Sequence, residues 1–373
     1  MKAVLHLTKS CNLRCRYCYA PSKIKESMSL DTARKAIDLV LGMAHGSACV
    51  AYFGGEPLLC FDAIRELTLY AEQQARPRGT AMHFRLSTNG TLFTDDKLAF
   101  CRDHNILYAI SLDGDREAND AQRVLPDGSG SWELLDSKLD SILAHNPYTV
   151  VTSVITPPTV PRLESSIRYM WSRGLRFVVH QLDYTHPGWT PELFEELEHS
   201  YRRLADFYLE RVRAGDHFHL SLFDDKLKSH ARSPIELGVL CDFGAKKISI
   251  APDGRVFPCV QLVSDRPDAQ DYCIGHVDTG LTPRRQELIA ENKRERGECQ
   301  DCALLGRCSN YCGCLNWQMT GQVTRVPPVL CAHERMLIPI ADELGNVLWD
   351  ERNARFLKKH YREQAERFAY DFD

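Results

Sequence analysis

The chain has 373 residues, 44% hydrophobic and 26% charged, which suffices for one large domain and a smaller one. Its net charge of −4 excludes the broad basic surface that non-specific nucleic-acid binding needs. No apolar run approaches the ~20 residues of a membrane span, and the stretch from Ala3 to Leu7 is too short for a secretory signal, so the cytoplasm is the expected compartment.

The first strand is expected over 3–8, and Cys11, Cys15 and Cys18 follow it with the spacing C-x3-C-x2-C. A loop of that length can turn three thiolates toward one centre but is too short to supply a fourth. On a cubane iron–sulfur cluster, three thiolates leave one iron open to a small molecule. Three ordinary buried thiols, or half of a zinc site, are the competing readings. Zinc sites, however, more often show paired C-x2-C units.

From there to about residue 215, short apolar runs alternate with longer amphipathic ones. Further strands are expected at 49–53, 82–87, 107–112, 149–155 and 176–182. Helices are expected at 30–44, 60–75, 94–104, 131–145 and 160–173. In the first helix Ser29 or Asp31 can cap the start, and Leu30, Ala33, Ile37, Leu41 and Ala44 recur at helical spacing. Six strand-then-helix units predict a parallel sheet with crossover helices, either an open doubly wound sheet or a barrel, complete or partial. Both architectures bind ligands at the carboxyl ends of their strands.

Polar motifs fall at those ends. Gly54-Gly55-Glu56-Pro57 ends strand two, Ser87-Thr88-Asn89-Gly90 strand three and Ser111-Leu112-Asp113-Gly114 strand four. Each alone is also a plain turn sequence; their order behind the cysteine loop is what carries the signal. His180, Gln181, Asp183 and Tyr184 leave strand six at the same mouth, and Asp183 and Tyr184 are the candidate catalytic groups on position alone. An amphipathic helix is expected over 190–214, a bridge over 216–240 and a helical tail from Ala341 to Tyr370.

Cys11, Cys15, Tyr17 and Cys18 match the C-x3-C-x-aromatic-C signature, and through them the chain resembles radical S-adenosylmethionine (SAM) enzymes. The resemblance implies an α/β fold with a partial (β/α)6 TIM-type barrel. It implies a [4Fe–4S] cluster whose open iron chelates SAM, with reductive cleavage to a 5′-deoxyadenosyl radical that takes a hydrogen from substrate. It places Tyr17 near the adenine and the SAM amino group at Gly54, Gly55 and Glu56. Ser87, Asn89, Ser111 and Asp113 would contact ribose and carboxylate, and Arg123 suits a carboxylate by its two-pronged guanidinium.

The cysteines between 241 and 331 form a second set. Cys241 and Cys259 flank a hairpin turning at Pro252-Asp253-Gly254, and Cys299-x2-Cys302-x5-Cys308-x3-Cys312 precedes Cys331. The pattern resembles the seven-cysteine SPASM domain, a small C-terminal iron–sulfur domain with two auxiliary [4Fe–4S] clusters, making three clusters in all. A pair of structural zinc knots is the competing reading. By the resemblance, Cys299, Cys302, Cys308 and Cys331 hold the distal cluster, and Cys241, Cys259 and Cys312 the nearer one. The nearer cluster's fourth ligand is Cys273, Cys314 or a substrate group on an open iron. The expected division is 1–215 barrel, 216–240 bridge, 241–335 SPASM domain and 336–373 tail.

The leading expectation for function is a maturase that forms a thioether or carbon–carbon crosslink in a ribosomally made peptide. The second is an anaerobic sulfatase-maturating enzyme that makes formylglycine. That family places an acidic base directly after the second hairpin cysteine, whereas Cys259 is followed by Val260. The third is a non-catalytic iron–sulfur scaffold or electron carrier. The expected partners are a peptide or protein substrate and an external electron donor of flavodoxin or ferredoxin type; with only ten residues before Cys11, a precursor is expected to be recognised by the barrel mouth, by residues 190–240 or 332–373, or by a separate leader-binding protein. Nucleic acid and membrane are not expected.

Overall fold

The computed structural model describes residues 1–20, 23–231, 241, 243–264 and 266–360. In chain order these begin with β1 (Lys2–Thr8), α1 (Leu30–Gly42), β2 (Ser47–Gly54), α2 (Phe61–Ala75), β3 (Ala81–Thr88), α3 (Asp95–Asp103) and β4 (Ile106–Ser111). There follow α4 (Arg116–Gln122), α5 (Trp132–Asp136), α6 (Leu139–His145), β5 (Val150–Ile155), α7 (Leu163–Ser172) and β6 (Phe177–Leu182). Next come α8 (Pro191–Arg213), β7 (His219–Leu220), α9 (Ser221–Ala231), β8 (Lys247–Ile250) and β9 (Arg255–Phe257). The last are β10 (Gly275–His276), β11 (Gly280–Leu281), α10 (Arg284–Asn292), α11 (Gly313–Thr320), α12 (Pro328–Asp350) and α13 (Ala354–His360). Among the described residues no helix is long and apolar enough to cross a membrane.

Two compact units share the chain. The first comprises Met1–Leu112, Asn119–Val151 and Asp242–Lys293; the second comprises Asp113–Ala118, Thr152–Cys241 and Arg294–Asp373.

In the first unit the strands run in the order β11, β10, β9, β8, β1, β2, β3, β4. β1 pairs in parallel with β2 on one edge and β8 on the other, and β2–β3 and β3–β4 are also parallel. A strand flanked on both edges in a covered sheet reads as a continuous apolar run, and six of the seven residues of β1 are buried. Tyr52 of β2 faces α2, where its hydroxyl meets Thr68 at 2.8 Å. Ser29 caps α1 by accepting the N–H of Thr32 at 3.0 Å, and Ala33, Ile37 and Leu41 lie on the buried stripe. Parallel pairing brings the carboxyl ends of β1 to β4 to one edge, where the motif loops begin.

The second unit is built on β6 and its parallel neighbour β7, with α12 packed on α8 and α9. The stripe of α8 is buried at Leu197, Tyr201, Leu204, Tyr208 and Val212, and Thr190 caps the helix ahead of Pro191.

Two expectations of helix extent, over 131–145 and 341–370, are corrected, and the bridging segment gains elements of its own. The helix read over 131–145 breaks at Ser137–Lys138 into α5 and α6. The segment read as a bridge carries β7 and α9 up to residue 231, while 232–240 lie outside the described residues. The tail helix starts at Pro328 rather than Ala341 and ends at Asp350 before α13, and residues 361–373 lie outside the described residues.

Candidate functional site

The cysteine loop is fixed from three sides within the first unit. Its stem, residues 8–10, is crossed by the loop that leaves β2: the N–H of Gly55 donates to Thr8 O at 2.6 Å and that of Glu56 to Ser10 O at 2.8 Å. Only glycine allows this crossing. A Cβ on Gly55 would sit 2.1 Å from Ser10 O, and one on Gly54, whose φ is +133°, 2.4 Å from Thr8 O. On a second side the N–H groups of Arg14 and Arg16 donate to Val124 O and Gln122 O at 2.7 and 2.9 Å. On the third, Asn12 Nδ2 donates to Thr91 Oγ1, and Asn89 Nδ2 to Asn12 Oδ1, both at 2.9 Å. Leu13, 1% exposed, anchors the loop in the core.

Cys11, Cys15 and Cys18 form no disulfide and are half-buried. Burial pushes the Cys11 thiol up, and the Leu13 N–H, 3.3 Å from its sulfur, works against that shift. Lys23 Nζ stands 3.0 Å from Cys18 Sγ. A backbone donor and an ammonium aimed at sulfur suit thiolates that carry an anionic cluster. Among the described residues no three His, Cys, Asp or Glu side chains gather as tightly as the ligands of a single metal ion.

The residues expected around SAM divide by environment. Tyr17 is half-buried, and the Arg123 guanidinium lies 5.3 Å from its ring. Glu56 is 1% exposed and fully engaged: its Oε1 accepts from Leu58 N and Thr88 Oγ1, and its Oε2 from Asn89 N. Burial raises its pKa against these three bonds. Ser87 is exposed and Ser111 half-buried. Asp113, in the second unit, is 1% exposed and accepts the Val154 N–H at 2.9 Å.

Of the auxiliary set, Cys259 and Cys273 belong to the first unit, and Cys241, Cys299, Cys302, Cys308, Cys312, Cys314 and Cys331 to the second. Tyr19 has its phenol held well above the usual range by burial, with the Cys18 and Cys259 thiols adding to that. In the second unit, burial lifts the Cys299 thiol, and the nearby Cys302 and Cys331 add to the lift. Burial pushes Cys308 up to about 11, with a contribution from Cys299. These mutual effects place the four expected distal ligands in one neighbourhood. Cys314 Sγ lies 3.7 Å from Cys312 Sγ, whereas Cys273 points its thiol at Gly275 O, 3.3 Å away.

Asp183 closes a turn, accepting from Thr185 N and Oγ1 at 3.0 and 2.6 Å. Tyr184 heads a buried chain that the sequence did not announce. Its hydroxyl meets His333 Nδ1 at 2.8 Å, His333 Nε2 meets Tyr201 at 3.0 Å, and Tyr201 meets His180 Nε2 at 3.0 Å. Burial lowers both imidazoles to about 3, so they are neutral links. Lys23 and Thr91 carry no sequence signal of their own. Only their closeness in sequence to the cysteine and Asn89 motifs marked them.

Residues 5–155 match the Radical SAM superfamily. An uncharacterized protein of Methanocaldococcus jannaschii is 30% identical over 182 residues, which are 48% of this chain and 61% of that one, so less than two thirds of that relative is spanned. A cysteine-type anaerobic sulfatase-maturating enzyme of Clostridium novyi is 24% identical over 339 residues, 84% of this chain and 88% of the relative. Among solved structures, native anSMEcpe with bound AdoMet and Cp18Cys peptide aligns with TM-score 0.79 at 20% identity, over 94% of this chain and 99% of that one. Streptococcus suis SuiB bound to precursor peptide SuiA aligns with TM-score 0.60 at 15% identity, over 88% and 75%. The α/β fold expected from the strand–helix alternation is the one these structures share.

Proposed function

For a chain that carries a radical SAM domain over residues 5–155, we propose a peptide maturase: an enzyme that takes a hydrogen from a residue of a ribosomally made peptide and completes a two-electron oxidation as a thioether or carbon–carbon crosslink. The observation that carries the reading is the crossing of the Gly54-Gly55-Glu56 loop over the stem of the cysteine loop, which puts backbone groups for an amino-acid ligand beside three thiols. When bound, the cluster supplies the electron that cleaves SAM.

The chain's own residues do the rest. Cys11, Cys15 and Cys18 hold the cluster, and Lys23 and Leu13 N–H stabilise its sulfur ligands. Gly54 and Gly55 offer backbone to the SAM amino group and Tyr17 packs near the adenine, while Glu56 braces Asn89. Ser87, Asn89, Ser111, Asp113 and Arg123 remain our proposed contacts to ribose and carboxylate. Cys299, Cys302, Cys308 and Cys331 are the proposed distal ligands. Cys241, Cys259 and Cys312 are the nearer ones, with Cys314 or Cys273 in reserve. We retain the division 1–215, 216–240, 241–335 and 336–373, a flavodoxin- or ferredoxin-type donor and a separate leader-binding protein.

A second reading, formylglycine formation, is favoured by the match along nearly the whole length of a sulfatase-maturating enzyme. Val260, where that family has an acidic base, argues for the first. Mass spectrometry of a peptide encoded beside the gene, co-expressed with the protein, separates them. A loss of about 2 mass units per modification supports a crosslink, and a loss of about 18 from cysteine supports formylglycine.

A further inference from the structure

Within the first unit a cavity opens between the ends of β1 and β2 and the β8–β9 hairpin, lined by His6, Tyr19, Gly55, Arg255, Phe257 and Val263 among others. His6 lies on the inner face of the sheet. It is the register partner of Phe53 and meets that ring edge-on at 5.1 Å, whereas Tyr52, one residue earlier, turns the other way to bond Thr68 of α2. His6 is 6% exposed, and its Nε2 is buried with no hydrogen-bond partner among the described residues. Such an orphan costs roughly 1–3 kcal/mol unless a ligand meets it.

The charges around the cavity are already matched. Lys9 Nζ pairs with Glu26 Oε2 at 2.9 Å, and Arg255 Nε with Asp253 Oδ2 at 2.7 Å. Burial draws the His6 imidazole down to about 3, so at neutral pH it is an uncharged ring that offers one donor and one acceptor nitrogen. A charged substrate group finds no free counter-charge here. A purely apolar one leaves Nε2 unmet. A short hydroxyl or thiol, which can donate or accept as the tautomer requires, answers both conditions.

We propose that His6 is the specificity-determining residue of the substrate pocket, and that its Nε2 hydrogen-bonds the serine hydroxyl or cysteine thiol of the peptide residue that enters this cavity. The proposal rests on the reading of the protein as a peptide-modifying enzyme. Gly54 and Gly55, assigned to SAM above, line the same cavity, so the recognised side chain lies next to the cofactor site.

The test is calorimetric titration of anaerobically reconstituted protein with SAM present, using four heptapeptides in which alanines flank a central Ser, Cys, Ala or Asp. The wild type is expected to bind the Ser and Cys peptides at least tenfold more tightly than the other two. His6→Leu is expected to bind all four within about twofold. His6→Gln, whose amide nitrogen reaches the Nε2 position, is expected to regain the preference. If His6→Leu does not fold, judged by iron content and SAM affinity, His6→Asn is expected to lose the preference, because its amide stops short of that position. A preference kept in the Leu or Asn variant, or no preference in the wild type (no binding by any peptide included), overturns the proposal. Assay of 5′-deoxyadenosine in the same samples tests the enzymatic reading separately, since absence of that product counts against SAM cleavage and leaves the binding comparison standing.

Discussion

Glu56 and Asn89 are joined across two strand ends: the carboxylate that follows β2 accepts the N–H of the residue that follows β3, at 2.8 Å. Asn89 in turn holds Asn12 inside the cysteine loop at 2.9 Å. Three loops that leave neighbouring parallel strands are thereby tied by one buried acid and two amides.

Glu56→Gln is expected to cost about 1–3 kcal/mol. The carboxylate accepts three hydrogen bonds, and an amide group in its place turns a donor toward at least one existing donor. Chemical denaturation of the two proteins prepared identically measures the loss. An unchanged midpoint contradicts the bracing role.

Gly55→Ala forces a Cβ to within 2.1 Å of Ser10 O and 2.8 Å of Lys9 O, both backbone atoms that cannot swing aside. Overpacking of this kind costs roughly 1–3 kcal/mol. Because the displaced segment is the stem of the cysteine loop, the variant is expected to lose one cluster, about four irons per chain fewer than the wild type. Iron and sulfide analysis reads the change directly.

The expected strands all appear, with ends moved by a residue or two, because each is a short apolar run bounded by turn residues; for 49–53 the pairing carries β2 two residues further back, to Ser47. The hairpin around Gly254 was legible for the same reason, that glycine having a φ of +92°. Its parallel pairing with β1 was not, since sequence marks a strand but not its partner across some 240 residues. The cysteine and glycine motifs located the candidate site because their spacing is local. The His180–Tyr201–His333–Tyr184 chain was invisible, since its hydrogen-bonded partners Tyr184 and His333 stand 149 positions apart.

His333→Phe removes a partner from Tyr184 and another from Tyr201. The Tyr184 hydroxyl loses its imidazole partner at a cost of about 1–3 kcal/mol, while Tyr201 keeps His180 Nε2 at 3.0 Å, so the urea midpoint is expected to fall. His333→Gln, which keeps a donor and an acceptor, is expected to recover part of the loss. Equal midpoints for Phe and Gln contradict the hydrogen-bond role.

His6 gives a pH dependence of known sign. Burial lowers its pKa from 6.5 to about 3, so below pH 6.5 the unfolded chain takes up a proton that the folded one refuses. The stability associated with His6 is complete above 6.5 and is lost as pH falls toward 3, at about 1.4 kcal/mol per pH unit. His6→Gln cannot titrate, and its stability between pH 6.5 and 4.5 is expected to fall less steeply than that of the wild type by that amount. Denaturation curves at pH 6.5, 5.5 and 4.5 make the comparison.

The most direct measurement concerns the three thiols at the start of the chain. Anaerobically reconstituted protein is reduced with dithionite, given SAM, and assayed for 5′-deoxyadenosine beside Cys15→Ala. The account predicts product from the wild type and none from the variant. Wild-type protein that carries its full complement of iron and yields no 5′-deoxyadenosine contradicts it.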